Sequence, residues 1–120
     1  MATAYKVLGQ TSTAGNFGNG AQTLVAATNT NLYTVPALTS TVVSSINVVN
    51  TNASSDTIRI AIRPAGATIA SQHYIVYGLS LAAGSTFTYT GGVTLATTDI
   101  ITVYSTSGYC SFSAFGSEIS

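Results

Sequence analysis

Charge is what this chain has least of. Of its 120 residues, three are basic and three are acidic, so 5% of the side chains are charged, whereas a soluble domain usually has about 25%. The charged residues are Lys6, Asp56, Arg59, Arg63, Asp99 and Glu118. Because charge keeps soluble monomers apart, we expect a surface this poor in charge to lie largely against other protein surfaces.

Residues that build metal sites and nucleophilic sites are also nearly missing. His73 and Cys110 are the single histidine and the single cysteine, and no HxH, CxxC or HExxH spacing is present. A Ser-His-Asp triad on His73 would lack the G-x-S-x-G turn that exposes a serine. We expect His73 to hydrogen-bond locally at the head of a strand and Cys110 to be a small core residue. The sequence therefore predicts no metal and no cofactor.

Two carboxylates remain as candidates for glycosidase chemistry, which needs a pair about 5–9.5 Å apart. They are Asp56 and Asp99, and each directly precedes a predicted strand. Aspartate at such positions commonly forms the hydrogen bonds of a turn. Turn formation explains both residues without catalysis, so we expect that the chain is not an enzyme.

Several partners and locations are disfavoured by the same composition. The formal net charge is zero, and Lys and Arg are not clustered as nucleic acid or an anionic membrane would require. No apolar run approaches the ~18 residues of a membrane helix. Residues 1–10 lack the apolar segment of a secretory signal. We expect synthesis in a cytoplasm, with no membrane and no nucleic-acid partner.

What the chain does have is an alternation of apolar and polar residues with period two. It is clearest at residues 56–63, where Ile58, Ile60 and Ile62 share one face, and Arg59 and Arg63 share the other, as in a half-buried strand. Similar patterns predict strands at residues 5–8, 22–25, 31–35, 41–50, 72–77, 85–90, 99–104 and 109–115. Helical periodicity is missing.

Turn residues separate these strands at short intervals. Pro36 ends one strand, and residues 105–108 (STSG) predict a hairpin between the last two strands. A Gly- and Asn-rich stretch near residues 11–20 predicts a turn or a mobile loop. The pattern indicates an all-β fold, with residues 1–120 forming a single antiparallel β-sandwich of about eight strands, either jelly-roll or immunoglobulin-like.

Tyrosine and arginine are the residues most suited to surface contacts. The chain has seven Tyr and no Trp, and Tyr is enriched at interfaces and binding surfaces, although strands favour aromatic residues in any case. Arg59 and Arg63 are multidentate donors on one outward face, where they either contact a partner or are solvated. We predict that Arg59, Arg63, Tyr74 and Tyr77 form subunit contacts.

Four segments carry a resemblance to a known family: residues 32–36 (LYTVP), 62–67 (IRPAGA), 73–77 (HYIVY) and 112–119 (FSAFGSEI), with residues 5–10 (YKVLGQ) in agreement. With them the chain resembles small virion structural proteins of tailed bacteriophages, including cyanophages. The loop at residues 11–20 is longer and richer in Gly and Asn than that family would suggest. The resemblance implies an accessory subunit of the particle and supplies no catalytic residues.

Together these observations predict that the chain is a structural protein and that it is located in the virion. It would assemble with copies of itself and with other capsid or tail proteins through edge strands and tyrosine-rich contacts. Positions on the tail, neck or baseplate and decoration of the capsid both remain open, and analogy with fibre and collar sandwiches favours the tail or neck. The alternative is a receptor- or glycan-binding module of a phage fibre or spike, which would bind a host surface glycan.

Overall fold

The computed structural model describes residues 2–120, which form ten β-strands joined by loops and two short 3-10 turns. The strands are β1 (Thr3–Ser12), β2 (Gly15–Gly18), β3 (Thr30–Thr34), β4 (Ser40–Asn50), β5 (Asp56–Arg63), β6 (Tyr74–Leu81), β7 (Thr86–Tyr89), β8 (Val93–Leu95), β9 (Ile100–Ser105) and β10 (Cys110–Ile119). The 3-10 turns are Pro64–Gly66 and Ser71–His73. Within residues 2–120, no helix is long and apolar enough to cross a membrane.

The strands form two antiparallel sheets. One has six strands in the order β2-β1-β10-β4-β7, with β8 pairing with another part of β4, and the other has four in the order β3-β9-β5-β6. Leaving out the short β2 and β8, the remaining eight strands have the spatial orders 1-8-3-6 and 2-7-4-5. This connectivity is a jelly roll, so the all-β sandwich is confirmed and the immunoglobulin-like alternative is wrong.

A single hydrophobic core lies between the two sheets, and both sheets contribute to it. The alternation of each strand determines which side chains enter the core: Ile58 and Ile60 of β5 are fully buried, as are Ile46 and Val48 of β4 and Phe112 of β10. The predicted burial of Cys110 is also confirmed. Because each sheet buries one face, the opposite face of each sheet is available for function.

Most predicted strands are confirmed with shifted ends, but the predicted hairpin is wrong. The Ser105–Gly108 segment does not join neighbouring strands, because β9 pairs with β3 and β5 while β10 pairs with β1 and β4. This segment instead crosses from one sheet to the other. The sequence resembles a hairpin loop in length and glycine content, yet the partners of both strands are distant along the chain.

Two further local predictions are wrong, and one short strand has no counterpart in the predicted set. Gly15–Gly18, expected as part of a loop, is strand β2 and pairs with β1 between Gly9 and Ser12. Residues 22–25, expected as a strand, form a loop that covers the edge of β3, with the Gln22 N–H donating to the carbonyl of Asn31 at 2.8 Å. Strand β8 was not predicted, because three residues are too few to show alternation.

We predict that the stability lost on truncating a leucine depends on whether its side chain is buried in the core. Leu32 on β3 is fully buried and Leu38 in the following loop is 91% exposed. Leu32→Ala should lower the free energy of unfolding by about 2–5 kcal/mol, whereas Leu38→Ala should change it by less than about 0.5 kcal/mol. Urea unfolding followed by circular dichroism measures both, and equal effects would contradict this core assignment.

Candidate functional site

The outer face of the four-stranded sheet carries most of the residues that the sequence singled out. Because Ile58 and Ile60 of β5 enter the core, Arg59 and Arg63 point away from it, as predicted. Arg59 lies opposite Tyr104 of β9 and Tyr77 of β6. The sheet therefore places an arginine between two tyrosines in one row across three strands.

Strand β6 has two bulges, and the one at Ile75 brings Tyr74 and Tyr77 to the same face. Ile75 and Gly78 are the extra residues, since Ala61 pairs with Tyr74, Ile60 with Val76, Arg59 with Tyr77 and Ile58 with Leu79. In a regular strand, residues three apart point to opposite faces. Gly78 has a φ of +70°, which glycine adopts without strain and which is typical of a glycine bulge.

The guanidinium of Arg59 is held between aromatic rings. Its Cζ lies 4.2 Å from the ring centroid of Tyr104 and 4.6 Å from that of Tyr77, within the range of favourable cation–π contacts. Tyr74 packs edge-on against Tyr77 with 4.8 Å between ring centroids. We call these four residues, Arg59, Tyr74, Tyr77 and Tyr104, the tyrosine–arginine cluster.

The hydrogen-bonding capacity of Arg59 is unused within residues 2–120. Its Nε is buried without a partner. Its two Nη groups make no hydrogen bond and no ion pair in this part of the chain, although they are not buried. Arginine normally satisfies a buried donor, because an unpaired one costs about 1–3 kcal/mol.

A cavity of about 550 Å³ opens beside the cluster and is lined by Ser71, Tyr74 and Tyr77. Tyr77 is 65% exposed, so its ring and hydroxyl reach solvent at the rim. Small-molecule sites commonly have volumes of about 300–1,000 Å³ and combine apolar walls with a few polar groups. The cavity has the size and the chemistry of a small ligand site.

Arg63, at the other end of β5, is occupied by its own chain. Its Nε donates to Thr102 Oγ1 at 2.9 Å and its Nη2 to Asn31 Oδ1 at 2.9 Å. Its Nη1 donates to the carbonyls of Ala67 at 3.1 Å and Gly66 at 3.4 Å. Arg63 thus fixes the Pro64–Gly66 turn on the sheet, and few of its donors are left for a partner subunit.

Asp56 is buried at the end of the sandwich where β9 crosses to β10. Its carboxylate accepts hydrogen bonds from the Ser105 hydroxyl, from the Ser107 hydroxyl at 2.7 Å and amide at 3.0 Å, and from the Cys110 thiol at 3.2 Å. Burial alone would raise the pKa of Asp56, but these hydrogen bonds together lower it to about 2. The crossover segment is therefore attached to the start of β5 by this carboxylate, and also by Thr106, whose N–H and hydroxyl donate to the Thr57 carbonyl at 3.1 and 3.2 Å.

Cys110 is not an activated nucleophile. Burial, and next the hydrogen bond to Asp56, raise the pKa of its thiol to about 12, whereas a reactive cysteine needs a lowered pKa and access to solvent. His73 also has a local role as predicted, since its Nδ1 accepts the Ala70 N–H at 3.0 Å. Within residues 2–120, no group of three or more His, Cys, Asp or Glu could hold a metal ion.

The two aspartates do not form a glycosidase pair. Asp56 begins β5 and Asp99 precedes β9, and these strands run antiparallel with Ile58 opposite Ser105 and Arg63 opposite Ile100. At about 3.3 Å per residue, the two carboxylates lie roughly 20 Å or more apart. Asp99 instead accepts the N–H groups of Ala65 and Ala96, both at 2.9 Å, which is the turn role expected from the sequence.

Glu118 connects the two sheets at the opposite end of β10. It accepts hydrogen bonds from Lys6 at 3.0 Å and from the Tyr33 hydroxyl, which also lies 2.9 Å from Thr41 Oγ1. Burial raises the pKa of Glu118, but the hydrogen bonds from Tyr33 and Lys6 outweigh it and leave the pKa lowered. Burial and the bond to Glu118 raise the pKa of Tyr33.

The outer face of the six-stranded sheet carries no charged side chain among the described residues. One row across it joins Phe17, Gln10, Ser113, Asn47 and Thr88, and a second joins Tyr5, Ser117, Val42 and Thr94. Lys6 and Glu118 belong to the intervening rows, whose side chains point to the inner side of the sheet, as the buried Val43 and Thr41 show. We call the outer face of the six-stranded sheet the uncharged face.

The comparisons with known proteins give no relative for this chain. No protein-family model matches it, and no curated protein is detectably similar to it. The geometry described above therefore carries the functional argument.

The predicted contact residues separate into two groups. Arg59, Tyr74 and Tyr77 come together in the tyrosine–arginine cluster, while Arg63 belongs to a separate network with Asn31 and Thr102. Tyr104 was missing from the predicted set. Its place depends on the pairing of β9 with β5, and the incorrect β9–β10 hairpin concealed that pairing.

We predict that protonation of Asp56 makes the protein less stable in acid. Its folded pKa of about 2 lies below the ordinary value of 3.8, so the unfolded chain binds more protons. Its contribution of about 2 kcal/mol is present above pH 3.8 and is lost as the pH falls through 2.

Asp56→Asn should therefore flatten the dependence of the free energy of unfolding on pH between about 5 and 2. Urea unfolding at a series of pH values measures it, with Ser107→Ala expected to give an intermediate slope. An unchanged slope in Asp56→Asn would show that the carboxylate does not provide this stabilisation.

Proposed function

We propose that this chain is a structural subunit of a bacteriophage virion, which assembles with copies of itself and with other virion proteins. The observation that carries the proposal is the uncharged face. A sheet surface spanning β2, β1, β10, β4, β7 and β8 without a single charged side chain is unusual for a face exposed to water. The sequence resemblance to phage virion proteins supplies the setting.

The composition of the uncharged face suits protein contact. Tyr5 is 86% exposed, Phe17 57% and Val42 39%, and they lie among Ser, Thr, Asn and Gln side chains that can donate and accept hydrogen bonds. The centres of protein interfaces are depleted in charge and enriched in aromatic residues. A neighbouring subunit could cover this face without burying an unpaired charge, which is the costly element of many interfaces.

An open sheet edge offers a second contact. The outer edge of β6 (Tyr74–Leu81) pairs with no other strand within residues 2–120. It has neither Lys nor Pro, and its bulges at Ile75 and Gly78 restrict strand addition to short stretches of the edge. Edge pairing between copies would combine with the uncharged face in a symmetric oligomer. Such an oligomer suits a ring of the tail, neck or baseplate, and also suits decoration of the capsid.

A second candidate function is binding of a host surface glycan, and the tyrosine–arginine cluster favours it. Tyrosine offers an apolar ring and a hydroxyl, and the cavity beside Tyr74 and Tyr77 is of ligand size. Jelly rolls include both capsid and lectin domains, so the fold is compatible with either function. The uncharged face and the tyrosine–arginine cluster lie on different faces of the sandwich, so a subunit that assembles through the uncharged face can also bind a glycan.

We predict that one charge in the middle of the uncharged face prevents self-assembly. Ser113 lies on β10 between Gln10 and Asn47, so Ser113→Glu would bury a carboxylate without a partner. Light scattering should give an oligomer for the wild type and a monomer for Ser113→Glu. The control is Ala83→Glu, which adds the same charge at an exposed loop position and should leave the oligomer intact.

The virion assignment is tested on the particle itself. Mass spectrometry of purified virions should detect the chain at a stoichiometry that is a multiple of a ring or capsomer symmetry, and a reconstruction of the particle would give its position. A monomeric wild-type protein that is absent from virions would refute the proposal.

A further inference from the structure

We propose that the tyrosine–arginine cluster binds an acidic sugar, with the carboxylate of the sugar on Arg59 and its ring against Tyr77 and Tyr74. The inference rests on the second candidate function above and names its ligand class. It begins from a contrast among the charged residues. Five of them have hydrogen-bond partners within the chain, and Arg59 has none within residues 2–120.

The position of Arg59 is suited to a ligand carboxylate. Stacking between Tyr104 and Tyr77 restricts the guanidinium, so less side-chain entropy is lost when a ligand binds. Its Nη groups are not buried, and a guanidinium can bind a carboxylate through two parallel N–H···O bonds. The absence of an acidic side chain from this cluster leaves the positive charge uncompensated by the protein.

The remainder of the ligand is indicated by the cavity next to the cluster. Its lining of Ser71, Tyr74 and Tyr77 presents hydroxyl groups and aromatic surface together, which suits the hydroxyls and the apolar C–H face of a sugar ring. A volume of about 550 Å³ accommodates a small saccharide, since small-molecule sites commonly have volumes of about 300–1,000 Å³. These features favour an acidic sugar over an acidic side chain of a protein.

The bulges in β6 are the structural device that creates this site. If Ile75 were paired as in a regular strand and formed no bulge, Tyr74 and Tyr77 would point to opposite faces, and the cavity wall would lose one ring. Bulges often occur where a strand redirects a side chain toward a functional site. The cluster therefore combines an unpaired cation, two solvent-accessible rings and a local irregularity of the sheet at one place.

The experiment compares glycans that differ only in charge. An array of immobilised oligosaccharides containing uronic or sialic acid, together with their carboxyl-reduced counterparts, is probed with the wild-type protein. We expect binding to the acidic members and at least about tenfold weaker binding to the reduced ones, because one charge-assisted bidentate pair is lost.

Three variants assign the binding to the cluster. Arg59→Gln should weaken binding to acidic glycans to the level of the reduced ones, and Arg59→Lys should recover only part of it, because lysine lacks the bidentate geometry. Tyr77→Ala should weaken binding to both forms. Tyr109→Ala removes a tyrosine that is 54% exposed and lies outside both the cluster and the uncharged face, so it should leave binding unchanged. Circular dichroism and thermal unfolding establish that each variant is folded.

The outcomes separate this inference from the function on which it rests. Equal binding of acidic and reduced glycans that depends on Tyr77 and not on Arg59 would overturn the acidic preference and leave glycan binding in place. No binding to any glycan would overturn both while leaving the assembly proposal untouched. Binding to acidic peptides in place of acidic glycans would identify the cluster as a protein contact and overturn the inference.

Discussion

Two carboxylates at opposite ends of β10, the buried Asp56 and the partly buried Glu118, link the two sheets of the sandwich. At one end, Asp56 of β5 accepts a hydrogen bond from Cys110 of β10, and at the other end Glu118 of β10 accepts one from Tyr33 of β3. Since β5 and β3 belong to the four-stranded sheet and β10 to the six-stranded sheet, each carboxylate links the two sheets. Their hydrogen bonds outweigh the cost of burial, which is why both pKa values are lowered.

This internal use of charge shapes the surface. Lys6, Arg63 and Asp99 also bind to groups of their own chain. Most of the few charged groups therefore form hydrogen bonds at strand ends, in turns and between the two sheets. The outer face of the six-stranded sheet is left uncharged as a result. Arg59 is the exception, and it lies on the opposite face of the molecule among tyrosines.

The sequence predicts the sandwich well because alternation is a local property. The alternation of Ile58 and Ile60 with Arg59 identifies the buried face of β5 even when the strands that pair with β5 are not known. The order of strands depends on distant pairings. The STSG segment has the composition of a hairpin loop, but its Ser105 and Ser107 bind Asp56, 49 and 51 residues earlier in the chain. The cluster was only partly predictable: strict alternation separates Tyr74 from Tyr77, and no local pattern places Tyr104 beside Arg59.

The uncharged face has a kinetic consequence. Charged partners attract each other over about a Debye length, and this steering accelerates association and makes it sensitive to salt. A face without charged groups gains no such acceleration, so docking through it would proceed at the slow rates of uncharged surfaces, about 10⁵–10⁶ M⁻¹s⁻¹. If copies assemble through this face as proposed, the same property makes their contact largely insensitive to ionic strength, so a change in salt concentration does not weaken it.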